Sequence, residues 1–502
     1  METLTLSQIA DLMNGKLNNK KYADILVNNY SIDTRTLSKG DIYIPIIGEK
    51  FDGHQFINEA FEKGAIASVS NYGAYDGDYK ACDSYYGACD SDYKACDSDY
   101  EVCDSDYGAC DSDYEVCGSD VLKNDDNAII YVENSNNAFQ LFAKNYKELC
   151  NTKVVAITGS NGKTTTKDLI NSVLEKNFNT KKTIGNLNNE IGVPKTLLTF
   201  NKSTDVGIVE MGTDGFGQIE VLSKIASPDI AIITNIGDSH LEQLKTKENI
   251  AKEKLHIVDH LKNDGIFIYN NDDEILTNTI SQAQIYQKTI SFGTKKNSDY
   301  IIKILHMDND KSTFKLNNKE YIIPLIGKHQ VYNASIAIIV AKLFNISYKD
   351  IIDGLSKKEI TSMRSELIKL DDFDILNDSY KSNPQSLISA LDTIYALKGY
   401  DRKIAVLGDM LELGDNEINL HKNIGKYLNP EIIDYVLLYG PLSKYIYDEA
   451  SKNFDKNNIY HFNNKEELIK KTKTLIISNS LVLVKASRSL KLEEVVNEIS
   501  NI

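Results

Sequence analysis

Apolar residues fall into two rhythms along this chain. In the middle, short continuous apolar runs at residues 154–157, 206–209, 230–233 and 266–269 alternate with stretches of helical spacing. Runs of that kind predict strands buried on both faces, and hence a parallel sheet covered by helices. A further alternation begins near residue 361, with strands predicted at 403–407, 435–438 and 481–484. Before the middle region, helical spacing marks 4–17 and 56–63, strands are predicted at 41–47, 64–70 and 128–132, and 135–149 reads as an amphipathic helix. The pattern predicts an α/β protein of three domains, 1–150, 151–360 and 361–502, in keeping with a length of 502 residues.

One stretch follows neither rhythm. Residues 72–120 repeat every seven positions with the consensus Tyr-x-Ala/Val-Cys-Asp-Ser-Asp, and hold six of the seven cysteines, at Cys82, Cys89, Cys96, Cys103, Cys110 and Cys117. That spacing matches neither paired zinc ligands nor a secreted disulfide framework, so free thiols in a reducing compartment are expected. Asp-Ser-Asp in nearly every unit favours turns over helix, which argues against a coiled coil. The repeat reads as a flexible, solvated insertion at a surface turn of the first domain. Weak cation binding by its carboxylates and thiolates is the functional alternative, although the units lack the glycine turn and closing glutamate of a calcium loop.

The repeat also explains the charge. It contains 14 acidic and 2 basic residues, a balance of −12, so the other 453 residues carry only −4 of the total −16. Nothing in this distribution suits a nucleic-acid partner. With 42% apolar and 25% charged residues, the composition is that of a globular protein. No apolar run is long enough to span a bilayer, and the N-terminus lacks the pattern of a secretory signal, so the expectation is a cytoplasmic protein without a membrane partner.

The chemistry gathers where predicted strands end. TGSNGKTT, residues 158–165, lies between a buried run and a helical stretch. Gly159 and Gly162 would let backbone amides approach phosphate oxygens, Lys163 would supply a point charge, and the Thr164 hydroxyl could reach Mg²⁺. The strict phosphate-loop pattern wants glycine at 157, where this chain has Ile157; a glycine turn that merely caps a helix is the minor alternative. Glu210 closes the run 206–209 and suits a Mg²⁺ ligand at the C-terminal end of a strand, although such a residue alone is more often solvated. His240, in TNIGDSHLE, and Lys254, in the helical stretch 249–260, would by themselves pass as structural or solvated residues.

Taken together these motifs resemble the Mur ligases of peptidoglycan synthesis, over nearly the whole chain outside the repeat. Within that family GNLNNEIGVP (185–194), NDSYKSNP (377–384) and VLGDMLELG (406–414) are similar to the branch that adds D-alanyl-D-alanine. The resemblance implies a uridine-nucleotide-binding first domain, a central P-loop-type ATPase domain and a Rossmann-like C-terminal domain. The segment 31–56, beginning SIDTR, is similar to the family's uridine-diphosphate-binding stretch. It makes Ser31, Asp33, Thr34 and Arg35, with Asn186, Asn188 and Asn189, candidates for the nucleotide sugar. Arg and hydroxyl groups suit a diphosphate, but DTR could equally be a turn.

For the central domain the resemblance implies two Mg²⁺ ions held by Thr164, Glu210, His240 and Lys254, the lysine as a carbamate, since an unmodified ammonium would repel the metal at close range. After that lysine the family often continues Gly-Glu-Ile, and here Leu255-His256-Ile257 follows. ATP would be held by Gly159, Ser160, Asn161, Gly162, Lys163, Thr164 and Thr165, with Asn333 in GKHQVYNAS, Arg364 in SMRSE, and Asp378. Gln330 replaces the family's first asparagine in the Asn333 stretch. NDSYKSNP departs from the usual DDSYNANP at Asn377, Lys381 and Ser382, and KASR at 485–488 has Ala486 where the family has glycine. Lys163, Glu210, His240, Lys254 and Arg364 form the implied catalytic set.

The implied reaction joins D-alanyl-D-alanine to UDP-N-acetylmuramoyl-tripeptide at the expense of ATP, through an acyl phosphate, by a monomer serving cell-wall growth, cell shape and division. The rivals are a Mur ligase that adds a single amino acid, folylpolyglutamate synthetase, which lacks the first domain, and a P-loop ATPase without ligase activity. If the repeat is a passive insertion, deleting residues 74–118 leaves steady-state turnover nearly unchanged; a large loss of kcat refutes that.

Overall fold

The predicted apolar runs become the inner strands of three separate sheets. In the computed structural model, residues 1–72, 127–357 and 361–502 are described, so the repeat beyond Tyr72 lies outside the described residues. The chain divides into two compact units, Met1–Phe142 and Ala143–Ile502, and the second holds two of the sheets.

The first unit is built on five strands in the order Lys16–Leu17, Ile129–Val132, Ala67–Asn71, Ile42–Tyr43 and Tyr30–Ser31, parallel except for the first pair. Two expectations are corrected here. Helical spacing over 4–17 yields a helix only at Leu6–Leu12, because the chain must turn back to pair with the strand Ile129–Val132. Thr5 and Gln8 cap its start reciprocally, and Asn14, at φ +54, ends it. Gly15 then passes so close to Ile130 that a Cβ would lie 2.7 Å from it. The strand expected at 41–47 is split into Ile42–Tyr43 and Ile47–Gly48, with Pro45, which has no N–H to give a ladder, between them.

The larger sheet has nine strands: Thr180–Lys182, Val206–Glu210, Lys153–Thr158, Ile230–Ile233, Ile266–Asn270, Lys288–Gly293, Tyr300–Met307, Ser312–Leu316 and Lys319–Ile323. The first seven are parallel, and the last three form an antiparallel edge. The strand Lys153–Thr158 comes first in the chain among these yet has neighbours on both sides. The strand order therefore reverses at it, and this is where open parallel sheets bind ligands, beyond the C-terminal strand ends. The last sheet runs Glu366–Lys369, Phe373–Asn377, Ser480–Lys485, Arg402–Gly408, Tyr435–Tyr439 and Ile459–Phe462, parallel apart from its first pair.

Behind the phosphate-loop candidate, the helix Lys163–Leu174 is buried from Thr164 to Leu174. Leu169, Ile170, Val173 and Leu174 join one core with Val155, Ile157, Ala334 and Ile338. The helix Tyr348–Leu355 crosses it through Gly354, where a Cβ would stand 2.6 Å from the Ser172 carbonyl oxygen and the Val173 Cα. No helix among the described residues is long and apolar enough to cross a membrane. Gly354→Ala pushes these helices apart and should cost about 1–3 kcal/mol of stability in denaturant unfolding; an unchanged midpoint contradicts so close a contact.

Candidate functional site

Strand register puts the candidate residues on one edge. Ile157 pairs with Glu210, and Thr158 with Ile233, so the loop after Thr158, the Glu210 carboxylate and the segment leading from Ile233 to His240 leave the sheet at the same level. Gly159 has φ +146 and no room for a side chain, since a Cβ would lie 1.9 Å from Thr234 Oγ1. That hydroxyl donates to the Asn161 carbonyl at 2.6 Å and pins the turn. Gly162, at φ +83, starts the helix without a capping side chain, and a Cβ there would meet Asn333 Oδ1 at 2.5 Å. The first helical amides are therefore left for an anion.

Lys163 folds back over this loop and donates to the Gly159 carbonyl at 2.7 Å. Its ammonium end is enclosed although the side chain as a whole is only half-buried. Burial is the main reason its pKa is pushed down to about 8; Lys381 and Arg364 act in the same direction and Glu210 opposes them. Lys254 is 1% exposed. Burial first, then the charges of Lys163 and Lys381, hold it well below the ordinary lysine range. Lys163, Lys254, Lys381 and Arg364 thus crowd their fields into one place, an arrangement that favours a polyanion.

Thr164 Oγ1 donates to Glu210 Oε2 at 2.9 Å, and Asn188 Nδ2 donates to Glu210 Oε1 at 3.1 Å. Neighbouring oxygens around octahedral Mg²⁺, with bonds of 2.0–2.1 Å, lie roughly 2.9 Å apart, so the Thr164 and Glu210 oxygens already have the spacing of two adjacent ligands. His240 stands at φ +58. Its Nε2 is 3.0 Å from Lys381 Nζ, and its Nδ1 is 3.0 Å from Glu412 Oε2 but out of line for a hydrogen bond. Burial lowers the His240 pKa, Lys381 and Lys163 act the same way, and Glu412 opposes them. The contact with His240, helped by Lys381, holds the Glu412 carboxyl down at about 2.

The C-terminal sheet delivers the remaining groups. Met363 and Ser365, at φ +62 and +52, flank Arg364, whose guanidinium stacks 4.2 Å over the Tyr380 ring and whose Nε is buried without a partner. Asp378 receives the Ser365 amide on Oδ1 at 2.9 Å and Lys485 Nζ on Oδ2 at 2.6 Å, so its carboxylate positions the Arg364 segment. Asn383 Nδ2 donates to Asn161 Oδ1 and to Ser239 Oγ, both at 2.8 Å, and Asn161 Nδ2 donates to Gln385 Oε1 at 3.0 Å. Asn333 accepts from Thr166 Oγ1 at 3.2 Å and donates to Gln330 Oε1 at 3.1 Å, bracing the loop's helix.

Comparison with known proteins gives this arrangement its context. Family models for the Mur ligase family catalytic domain, the Mur ligase middle domain and the Mur ligase glutamate ligase domain match residues 26–81, 157–341 and 363–488. The UDP-N-acetylmuramoyl-tripeptide–D-alanyl-D-alanine ligase of Bacillus subtilis is 36% identical over 99% of this chain and 98% of its own length. The chain belongs to the Mur ligase family. Its fold is shared with crystal structures of MurF from Acinetobacter baumannii (TM-score 0.82, 23% identity, 100% of both chains) and of MurF ligase from Thermotoga maritima in complex with ADP (TM-score 0.75, 24% identity, 95% of this chain and 97% of that one). The three-domain α/β architecture read from the sequence is that of these Mur ligases.

The other candidates take simpler places. Asp33, Thr34 and Arg35 form a turn: Asp33 O accepts from Thr36 N, and the Asp33 carboxylate receives the Arg35 backbone amide as well as a two-pronged contact from its guanidinium at 2.9 and 2.7 Å. Ser31 Oγ donates to Asp33 O, and Thr34 Oγ1 to Glu59 Oε1. Arg35, with 85% of its side chain exposed, remains open to an anion. Asn189 Oδ1 receives the Gly192 amide at 2.9 Å, and the Asn186 carbonyl receives the Asn188 amide at 2.8 Å, so Asn188 alone of these three sends its side chain to Glu210. The departure at His256 points elsewhere, to Asp259 Oδ2 at 2.6 Å near the surface.

Sequence reasoning singled out none of Thr234, Glu412, Asn383 and Gln385, although the first three lie inside the motifs TNIGDSHLE, VLGDMLELG and NDSYKSNP. Without metal, His240 should be neutral at pH 6.5 with its proton on Nδ1, because an ammonium at Nε2 can only donate. Nitrogen-15 NMR of the histidine rings reads this directly, and a midpoint above 6.5 or a proton on Nε2 contradicts it.

Proposed function

We propose that this chain is an ATP-dependent, ADP-forming ligase that adds D-alanyl-D-alanine to UDP-N-acetylmuramoyl-tripeptide in peptidoglycan synthesis. The observation that carries the reading is the convergence of Lys163, Lys254, Lys381 and Arg364 on a glycine loop beside Glu210. The full-length likeness to the Bacillus subtilis enzyme of that name supports the substrate assignment. It favours this reading over a ligase adding a single amino acid, and over a P-loop ATPase. The proposed domains are a UDP-sugar-binding part to about residue 150, an ATP-binding part to about 360 and a C-terminal part beyond. The enzyme would work in the cytoplasm as a monomer, serving cell shape and division.

In the proposed mechanism the amides of Gly162, Lys163 and Thr164 hold the ATP phosphates, those of Ser160 and Asn161 being given to Asn235, and Lys163 turns its ammonium from the Gly159 carbonyl onto the γ-phosphate. Arg364, already stacked and with a free buried Nε–H, takes another of the γ-phosphate oxygens. The tripeptide carboxylate attacks phosphorus, ADP leaves, and an acyl phosphate forms. The amine of D-alanyl-D-alanine then attacks the acyl carbon, phosphate leaves, and the amine loses a proton. Catalysis here is positioning and charge stabilisation, with no protein nucleophile.

Thr164 and Glu210 would hold one Mg²⁺, and His240 with Lys254 as a carbamate a second. When bound, these ions neutralise charge on the phosphoryl oxygens. The depressed pKa of Lys254 suits carbamylation, which requires a neutral amine to attack CO₂.

Phosphate release should need both the UDP-sugar tripeptide and D-alanyl-D-alanine, and equal release with either alone sinks the ligase reading. Arg364→Met should lower kcat by roughly 10²–10³-fold. Because Lys163 is held near 8 in the free protein and the nucleotide requires its charged form, ATP affinity should fall as pH rises through about 8; a flat calorimetric profile from pH 7 to 9 contradicts this.

A further inference from the structure

Lys381 stands where the metal reading would put a cation. Its ammonium lies 3.0 Å from His240 Nε2 and 3.4 Å from Glu412 Oε2, and its charge reaches both Lys163 and Lys254. An ammonium has three donors and no acceptor, so the contact at Nε2 is a hydrogen bond given to the imidazole lone pair. A neutral imidazole has one such lone pair, and it is the same pair that a metal ion takes. Lys381 and a divalent ion therefore cannot share His240. Nδ1, carrying the ring proton, is buried beside Glu412 and offers no second coordination site.

We propose that Lys381 is a resident counter-cation of the His240 metal position, competing with the second divalent ion for His240 Nε2. The proposal rests on the metal assignment made for this ligase and adds a cost of loading that this chain's own lysine imposes. Lys381 and Glu412 belong to the C-terminal sheet's loops, whereas His240 follows a strand of the larger sheet, so the ammonium also ties the two sheets together where the ion would sit. When the ion binds, Lys381 leaves His240 and keeps Glu412 as its partner. Lys381 does not contact Thr164 or Glu210, so it competes for no ligand of that position and acts there only through its field.

The test is Mn²⁺ titration of the full-length protein with ADP, followed by electron paramagnetic resonance, which counts bound ions without measuring turnover. Wild type should show a tight and a weak Mn²⁺ site. Lys381→Met should tighten the weak site by roughly tenfold or more, as removal of one like charge at close range requires, and change the tight site by clearly less. Lys381→Gln, which keeps a polar group, should repeat the result, and Lys381→Arg should stay weak. Thermal melts confirm that each variant is folded. Two sites in wild type with an unaltered weak site in both Lys381→Met and Lys381→Gln overturn the proposal while sparing the metal assignment. Absence of any Mn²⁺ binding in wild type overturns both.

Discussion

The contact on which the site depends is the one between Thr234 and the loop that begins at Gly159. The Thr234 hydroxyl occupies the space a Cβ at 159 would need and donates to the Asn161 carbonyl, so the loop is shaped by its neighbouring strand. With the helix Lys163–Leu174 buried behind it, the loop has little freedom to relax. Asn235 takes the amides of Ser160 and Asn161 and fixes the turn, which leaves the amides at the start of the helix preorganised for phosphate, with little further ordering to do when a ligand binds. The missing glycine at 157 is consistent with this, because Ile157 is a fully buried strand residue and the turn begins only after Thr158.

Charge is the second constraint. Burying Lys163 and Lys254, and gathering them with Lys381 and Arg364, is unfavourable in the free protein, and the lowered lysine pKa values record first the burial and then the like charges. Backbone strain accompanies it: His240, Met363, Ser365 and Glu412 all adopt left-handed conformations that ordinary residues avoid. Both costs are borne by the packed sheets, and an anionic ligand relieves the first. The polar contacts of Asn383 and Gln385 with Asn161 tie the C-terminal part to the phosphate loop itself, so the loop and the Arg364 segment are positioned by one another.

Much of this was legible in the chain because it is local. A continuous apolar run followed by a glycine loop and a helical stretch marks Lys163 and Thr164, and a carboxylate ending the next apolar run marks Glu210. His240 and Lys254 have no such local signature and were singled out only by family resemblance. Lys381 stood out as a departure from the family's asparagine, but its contact with His240, 141 positions away in the chain, was invisible before folding. The same holds for Thr234, Glu412 and Gln385, whose roles arise from long-range packing. Asn333 and Asp378, expected at the nucleotide, also brace the loop's helix and the Arg364 segment, through contacts that only folding creates. The antiparallel edge from Tyr300 to Ile323 was also missed, since its alternating burial lacks the continuous runs that betrayed the parallel strands.

The central claim is that the loop presents the γ-phosphate of ATP to a peptide carboxylate. The most direct measurement follows the oxygen atoms. With the terminal carboxylate of the UDP-sugar tripeptide labelled with oxygen-18, an acyl phosphate passes one labelled oxygen to the phosphate released when D-alanyl-D-alanine is added. Mass spectrometry should therefore find one heavy oxygen in the inorganic phosphate of each turnover. Phosphate that carries none, with ATP consumed at the same rate, would contradict the account.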